Sequence, residues 1–172
     1  TREVTLVDLL ADHLRFAGRV RPHVVHRIDR DTSGLVLFAL TLAAREDLKS
    51  QFEQRTPDRV YLAAVNGCPE PPSGTWRDQL VWDKERLVQK RAHARDDRAK
   101  DAVAQYRVIE RFGGQSLIEV SLVTGKRNQI RVQAGSRGHA LVGERLYRFG
   151  RPRDDREPPF DRQALHATRL AF

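Results

Sequence analysis

The chain has 172 residues, of which 40% are hydrophobic and 31% are charged, a balance that favours one folded domain over a disordered chain. No apolar run is long enough to span a bilayer, and the single cysteine, Cys68, excludes an intramolecular disulfide and favours a reducing compartment such as the cytoplasm. The formal net charge is +8, most of the basic residues are arginines, and forked guanidinium groups suit phosphates. Nucleic acid is therefore the first candidate partner, and a solvated basic surface is the alternative.

The N-terminal third predicts two helices and two extended segments. Leucines at helical spacing follow Thr5, whose hydroxyl can cap a helix. Residues 23–28 are partly β-branched and are predicted to be extended, and residues 34–40 (GLVLFAL) predict a buried strand. Thr41 is predicted to cap a second helix, which Pro57 ends.

The rest of the chain predicts strands and loops with one short helix. Strands are predicted at residues 60–65, 102–112, 115–123 and 165–172, and the short helix at 128–137. Loops are predicted at residues 68–74 and 145–162, and residues 76–98 are predicted to be polar and irregular. Gly113-Gly114 marks a hairpin turn. The predicted fold class is therefore α+β, with a mixed, mainly antiparallel central sheet and flanking helices and loops.

The densest polar cluster is the segment HRIDRDTSG at residues 26–34. Its acidic residues match the opening of a calcium-binding EF-hand loop, but the twelfth position, which should be a bidentate Glu, is Leu40. A transition-metal site at His23, His26 and Asp29 is also disfavoured, because the neighbouring Val24-Val25 pair predicts extended backbone rather than a helix that would align these groups. No metal is therefore expected.

A carboxylate site remains as the chemical interpretation of this cluster. Asp29 lies between Arg27 and Arg30, and a carboxylate beside guanidinium groups stays ionised and is available as a nucleophile or base. A surface ion pair is the alternative. A second basic segment, GKRNQIR at residues 125–131, would place Arg127 and Arg131 on one helix face, and a solvated face is the alternative there.

Five motifs in this order resemble those of the RluA-type pseudouridine synthases. The sequence HRIDRDTSGLVLFAL at residues 26–40 is similar to the family's HRLDRDTSGLLLFA, and Tyr61 in VYLAAVNG matches the Tyr of the family's next strand motif. Residues 124–133 (TGKRNQIRVQ) resemble TGRTHQIRVH, and residues 138–147 (GHALVGERLY) resemble GHPIVGDPLY. A terminal LHA is matched at residues 165–167. The resemblance spans nearly the whole chain.

The chain departs from the family pattern at several positions. Ile28 replaces a Leu, residues 126–128 (Lys, Arg, Asn) replace Arg, Thr and His, and Gln133 replaces a His. We expect these changes to alter RNA contacts rather than chemistry. The family's opening strand and the S4-like domain of many members are not recognisable, so residues 1–172 are expected to form a single catalytic domain that lacks them.

The resemblance implies isomerisation of uridine to pseudouridine in structured RNA. Asp29 would be the catalytic carboxylate, acting at the base or at the sugar, and Arg131 would hold it ionised through an ion pair. Tyr61, which base rates alone would assign to the core, would stack on the uracil and take part in proton transfer at C5. The reaction needs no cofactor, because it involves neither redox change nor group transfer.

The same resemblance implies that the target base leaves its stack before it reacts. Arg27 would fill the vacated space or hold the flipped nucleotide, and Arg30, Lys126 and Arg127 would also bind RNA. Ribosomal RNA is favoured over transfer RNA, and a cytoplasmic monomer without membrane contact is expected. The alternative function is a non-catalytic RNA-binding module or RNA chaperone that retains the fold.

Overall fold

The computed structural model describes residues 4–17, 20–93, 95–150 and 160–172. The chain divides into two compact units. The first comprises Thr1–Ile28, Val36–Pro57 and Phe172, and the second comprises Asp29–Leu35 and Asp58–Ala171. Over the described ranges, no helix combines the length and apolar character needed to cross a membrane.

The described residues contain three α-helices and nine strands. The helices are α1 (Leu6–His13), α2 (Leu42–Gln54) and α3 (Gln129–Ser136). The strands are β1 (His23–Val24), β2 (Ser33–Gly34), β3 (Phe38–Ala39), β4 (Asp58–Asn66), β5 (Ser73–Asp83), β6 (Val88–Arg91), β7 (Lys100–Phe112), β8 (Gln115–Leu122) and β9 (Leu165–Ala171).

The helices of the first unit begin where the sequence predicts. Thr5 caps α1: its hydroxyl accepts a hydrogen bond from the Asp8 N–H, and the Asp8 carboxylate accepts one from the Thr5 N–H in return. Thr41 caps α2 through a single hydrogen bond, which its hydroxyl accepts from the N–H of Ala44. The helix ends at Gln54, before the predicted stop at Pro57, because Arg55 adopts a left-handed conformation with φ of 63°.

The first unit also holds a two-stranded sheet in which β1 and β3 pair antiparallel. The predicted extended segment at residues 23–28 is thus a strand only at His23–Val24. His26 has a structural environment: its Nε2 accepts a hydrogen bond from the N–H of Leu37, and its ring stacks on Phe52 with centroids 4.8 Å apart.

The second unit is built on a seven-stranded sheet with the order β2-β9-β4-β8-β7-β5-β6. Strand β2 pairs parallel with β9, and the other pairings are antiparallel. This confirms the predicted α+β class with a mixed, mainly antiparallel sheet, and also the β7–β8 hairpin.

Ile130 and Ala134 of α3 join the core formed around Ile118, Val120 and Leu141, so burial fixes α3 in this unit.

The predicted buried strand at residues 34–40 is wrong. Gly34 ends β2 with φ of 107°, and Phe38–Ala39 pairs with a different sheet. Leu35 and Leu40 are 50% and 52% exposed. A positive φ at Gly34 breaks the extended run, so an apolar stretch that is continuous in sequence is divided in space.

The prediction of an irregular segment at residues 76–98 is also wrong, because most of it lies in the β5–β6 hairpin. Trp76 and Leu80 are buried in β5, and the side chain of Asp78 between them is completely inaccessible. Asp78 is paired with Arg91 and Arg137. The two-residue alternation is therefore present, but an ion-paired carboxylate occupies one apolar position.

Candidate active site

Asp29 begins a four-residue turn at the edge of the second unit. The Thr32 N–H donates to the Asp29 carbonyl at 3.1 Å, and Asp31 at the third position has φ of 66°, a conformation that Asp tolerates better than most residues. Asp31 is exposed, as expected for a turn residue. Gln163, a distant residue in the sequence, stabilises the turn, because its Nε2 donates to the Arg30 carbonyl at 2.6 Å.

Strand β9 holds the residues that follow this turn. Ser33 and Gly34 pair in parallel with His166 and Ala167, and the Ser33 hydroxyl lies 2.9 Å from His166 Nδ1. A Cβ on Gly34 would lie 2.1 Å from the Ala167 carbonyl oxygen. The close approach of the two backbones thus requires glycine at position 34. This approach positions the Asp29 turn against the sheet.

The Asp29 carboxylate meets the start of α3. Its Oδ1 accepts a hydrogen bond from the backbone N–H of Asn128 at 3.3 Å. Asn128 directly precedes α3 and adopts a left-handed conformation. Its side-chain Oδ1 accepts from Arg131 Nη1 at 2.8 Å, and its Nδ2 donates to the Tyr147 hydroxyl at 2.9 Å. Asn128 therefore links the carboxylate to two further residues of the site.

Arg131 is held by a buried carboxylate. Its Nε and Nη2 donate to the two oxygens of Glu144, each at 2.7 Å, and the side chain of Glu144 is inaccessible to solvent. The guanidinium also lies over the Tyr147 ring, 5.0 Å from its centroid. A two-point pair of this kind fixes the plane of the guanidinium as well as its position.

The charges of the site raise the pKa of Arg131. Burial works against the charged guanidinium, but the hydrogen bonds and the charge of Glu144, followed by the charge of Asp29, outweigh it. The pKa of Glu144 is lowered, because bonding to Arg131 and to the N–H groups of Leu146 and Tyr147 outweighs the effect of its burial.

Tyr61 is half-buried on β4, between Val120 of β8 and Ala167 of β9. Burial raises the pKa of its phenol above 10.0; the Arg59 charge opposes this shift and the Asp29 charge adds to it. Tyr61 is therefore a neutral phenol at neutral pH, and it lies within the electrostatic reach of Asp29.

The four predicted RNA-binding residues lie in different settings. Arg27 is exposed in the first unit and Arg30 is exposed in the turn of the second, whereas Lys126 is half-buried. Arg127 is exposed, and its guanidinium lies 4.0 Å from the centroid of the Trp82 ring. The Trp82 ring thus holds the Arg127 guanidinium in a defined position.

The expectation that Gln133 alters RNA contacts is wrong, because its side chain is completely buried. Its Nε2 donates to Asp78 Oδ2 at 2.8 Å and to the Ala102 carbonyl at 3.1 Å. Gln129 donates to Gln133 Oε1 one turn earlier. Gln133 therefore joins α3 to β5 and β7 instead of facing RNA.

Sequence reasoning missed three residues of this site, namely Asn128 as a link, Glu144 and Tyr147. The available signal was Glu144 following the apolar run ALVG, because an acidic residue beside buried positions requires a cationic partner. In the part of the chain that the structure describes, no three His, Cys, Asp or Glu residues come together as metal ligands would.

Comparison with known proteins gives a consistent picture. The family model described as RNA pseudouridylate synthase matches residues 8–136. Ribosomal large subunit pseudouridine synthase D of Zymomonas mobilis is 39% identical over 178 residues, covering 98% of this chain and 55% of that protein. The uncharacterized RNA pseudouridine synthase YlyB of Bacillus subtilis is 39% identical over 172 residues, covering 98% of this chain and 54% of that protein.

The fold has solved counterparts as well. The human RNA Pseudouridylate Synthase Domain Containing 1 structure superposes with a TM-score of 0.80 at 24% identity, covering 99% of this chain and 71% of that chain. This likeness concerns the fold. The chain spans about half the length of the curated relatives it matches.

Proposed function

Because this chain belongs to the RNA pseudouridylate synthase family, we propose that it isomerises uridine to pseudouridine in RNA. Its membership bears out the resemblance to the RluA-type enzymes. The activity is proposed for the chain as given, which spans about half of its curated relatives.

The observation that carries the proposal is the contact of Asp29 with Asn128, whose side chain also binds Arg131, together with the position of Tyr61 within reach of the Asp29 charge. The three residues come from a turn, a strand and a helix. Burial raises the pKa of Tyr61, and Glu144 raises the pKa of Arg131 against the effect of burial; the Asp29 charge adds a smaller upward contribution to each. A purely RNA-binding surface has no need for a carboxylate among its phosphate contacts, so this grouping favours catalysis over the RNA-chaperone alternative.

In the proposed reaction, the bond between N1 and C1′ of the target uridine breaks and a bond between C5 and C1′ forms. Asp29 acts as the ionised carboxylate, at the base or at the sugar. Tyr61 stacks on the uracil and relays the C5 proton, which is lost as N1 gains one, so the product is an isomer of the substrate. Arg131 favours the ionised form of Asp29 through its positive charge.

RNA binding is assigned to Arg27, Arg30, Lys126 and Arg127. Their charges supply affinity for the backbone without sequence preference. The Zymomonas mobilis relative is a ribosomal large subunit pseudouridine synthase, which supports ribosomal RNA as the substrate class ahead of transfer RNA. We also propose a cytoplasmic monomer, and the single cysteine suits a reducing compartment.

The test is release of tritium from RNA transcripts whose uridines are labelled at C5, with large-subunit ribosomal RNA and transfer RNA assayed in parallel. The chain is expected to release tritium, and Asp29→Asn and Asp29→Ala are expected to release none. Asp31→Asn is the matched control, because Asp31 lies exposed in the same turn and Asn also tolerates a positive φ. RNA binding without any turnover would favour the chaperone alternative.

A further inference from the structure

We propose that Asn128 is a positioning residue that holds Asp29, Arg131 and Tyr147 in a single arrangement. The catalytic consequence of this inference rests on the proposed function, whereas the arrangement itself does not. Asn128 stands where the RluA-type motif has His, a residue whose neutral ring also offers one donor and one acceptor.

The backbone of Asn128 provides the contact to Asp29. Its φ of 52° and ψ of 24° place it in the left-handed region, which Asn enters at lower cost than most residues. In this conformation its N–H donates to Asp29 Oδ1. The position of this peptide group therefore contributes to the position of the carboxylate.

The side chain of Asn128 determines where that peptide group lies. The amide offers one acceptor, used by Arg131 Nη1, and a donor group, used toward the Tyr147 hydroxyl. An aspartate would have no donor here, and a glycine would have neither group. The chemistry of an amide thus fits both neighbours at once.

Both neighbours are themselves fixed. Arg131 is bound at two points by the buried Glu144, and the Tyr147 hydroxyl also accepts a hydrogen bond from the backbone N–H of Gln89 on β6. The Tyr147 side chain lies in a core cluster with Leu80. Asn128 therefore bridges two rigid groups, and its N–H meets the carboxylate at a defined place.

The first measurement needs no RNA. The carboxyl carbon of Asp29 is followed by NMR through a pH titration in the 172-residue chain, in Asn128→Asp and in Gln105→Glu. Gln105→Glu is the matched charge control, because Gln105 is exposed on β7. Asn128→Asp puts a second negative charge beside Asp29, so its titration midpoint is expected to rise by about one pH unit or more. Gln105→Glu is expected to leave the midpoint unchanged.

The second measurement is the single-turnover rate on RNA labelled at C5. Asn128→Gly retains the left-handed backbone and the N–H but removes the bridge, so the rate is expected to fall by about 10²-fold while RNA affinity is preserved. Asn128→His restores one acceptor and one donor and is expected to recover most of this loss. In Asn128→Asp, the acidic limb of the pH–rate profile is expected to move to higher pH with the Asp29 titration.

An unchanged Asp29 midpoint in Asn128→Asp, or a wild-type rate in Asn128→Gly, would overturn the positioning role. A shifted midpoint in a chain that converts no uridine would support the arrangement and contradict the proposed function. The two ideas therefore fail through different observations.

Discussion

Arg131 and Glu144 form a two-point ion pair in which both N–O distances are 2.7 Å and the Glu144 side chain has no solvent exposure. Glu144 Oε1 also accepts hydrogen bonds from the backbone N–H groups of Leu146 and Tyr147. One carboxylate thus orients the site arginine and shapes the segment that carries Tyr147. Stability and site geometry depend on the same residue.

Replacement of Glu144 by Ala should cost about 3–5 kcal/mol of unfolding free energy, because it leaves the partly buried Arg131 charge without its principal partner. Urea denaturation at neutral pH measures this loss. The matched control is Glu119→Ala, since Glu119 pairs with Arg107 at 3.0 Å on the surface of the sheet, with side-chain exposures of 35% and 63%. That change should cost less than about 1 kcal/mol, and equal losses would contradict the distinction between the two pairs.

The same carboxylate predicts a specific acid sensitivity. The pKa of Glu144 is lowered in the folded state, so its contribution to stability is fully present above the unfolded-state value and is lost as pH falls through the lower folded value. Below about pH 4.3, the ordinary pKa of Glu, the gap in unfolding free energy between the wild type and Glu144→Gln should therefore narrow. Urea denaturation over a pH series checks this.

Because Asp83 also titrates at low pH, the pH series must compare the wild type with Glu144→Gln. The hydrogen bond from Lys90, followed by that from the Arg86 N–H, lowers the pKa of Asp83 to about 2. Protonation of Asp83 at low pH therefore also lowers the unfolding free energy. Because Asp83 is present in both proteins, only the difference between them reports Glu144. A gap that stays constant down to low pH would refute the assignment.

The sequence predicts elements whose local chemistry agrees with the fold. Thr5 and Thr41 are helix caps because their hydroxyls bond within three residues along the chain. The β7–β8 hairpin is found because Gly113-Gly114 interrupts two alternating segments. In these cases all the necessary information lies within one turn or one helix end.

The remaining features depend on partners distant in sequence. The alternation of buried and exposed residues in β5 is not recognisable in the sequence, because the charged Asp78 stands at a buried position where it pairs with Arg91 and Arg137. Likewise, the sequence motif identifies Arg131 but not Glu144, 13 residues further on, because no local pattern indicates which carboxylate a buried arginine will meet. Long-range pairing, rather than propensity, separates the correct predictions from the missed ones.

Gly34→Ala is expected to destabilise the protein by about 3 kcal/mol or more, because the new Cβ would overlap the Ala167 carbonyl and φ is 107°. Turnover should fall as the Asp29 turn separates from β9. The control is Gly114→Ala, at φ of 86° with nothing within 4 Å of the new Cβ, which should cost only about 1–2 kcal/mol of backbone strain. Thermal and urea unfolding measure both, and similar costs would mean that the close approach is unimportant.

Tyr61→Phe separates stacking from proton transfer. The phenyl ring still stacks on a base, but the hydroxyl is lost, so tritium release should slow by about 10²-fold or more with little change in RNA affinity. Tyr106→Phe is the matched control, because Tyr106 lies two strands away on β7 and its hydroxyl donates to the Pro71 carbonyl, and turnover should persist. Full activity in Tyr61→Phe would limit Tyr61 to stacking.

Arg127→Ala should weaken RNA binding uniformly across sequences and reduce the slope of log K against log salt by about 0.7–0.9, the value of one lost phosphate contact. Arg127→Lys should keep the slope but lose part of the affinity, because an ammonium group cannot reproduce the contact of the guanidinium with the Trp82 ring. Arg111→Ala removes the same charge from an exposed pair with Glu70 and serves as the control. Binding titrations at several salt concentrations give the slopes. If Arg127→Ala and the control Arg111→Ala both keep the wild-type slope, the RNA binds elsewhere on the protein.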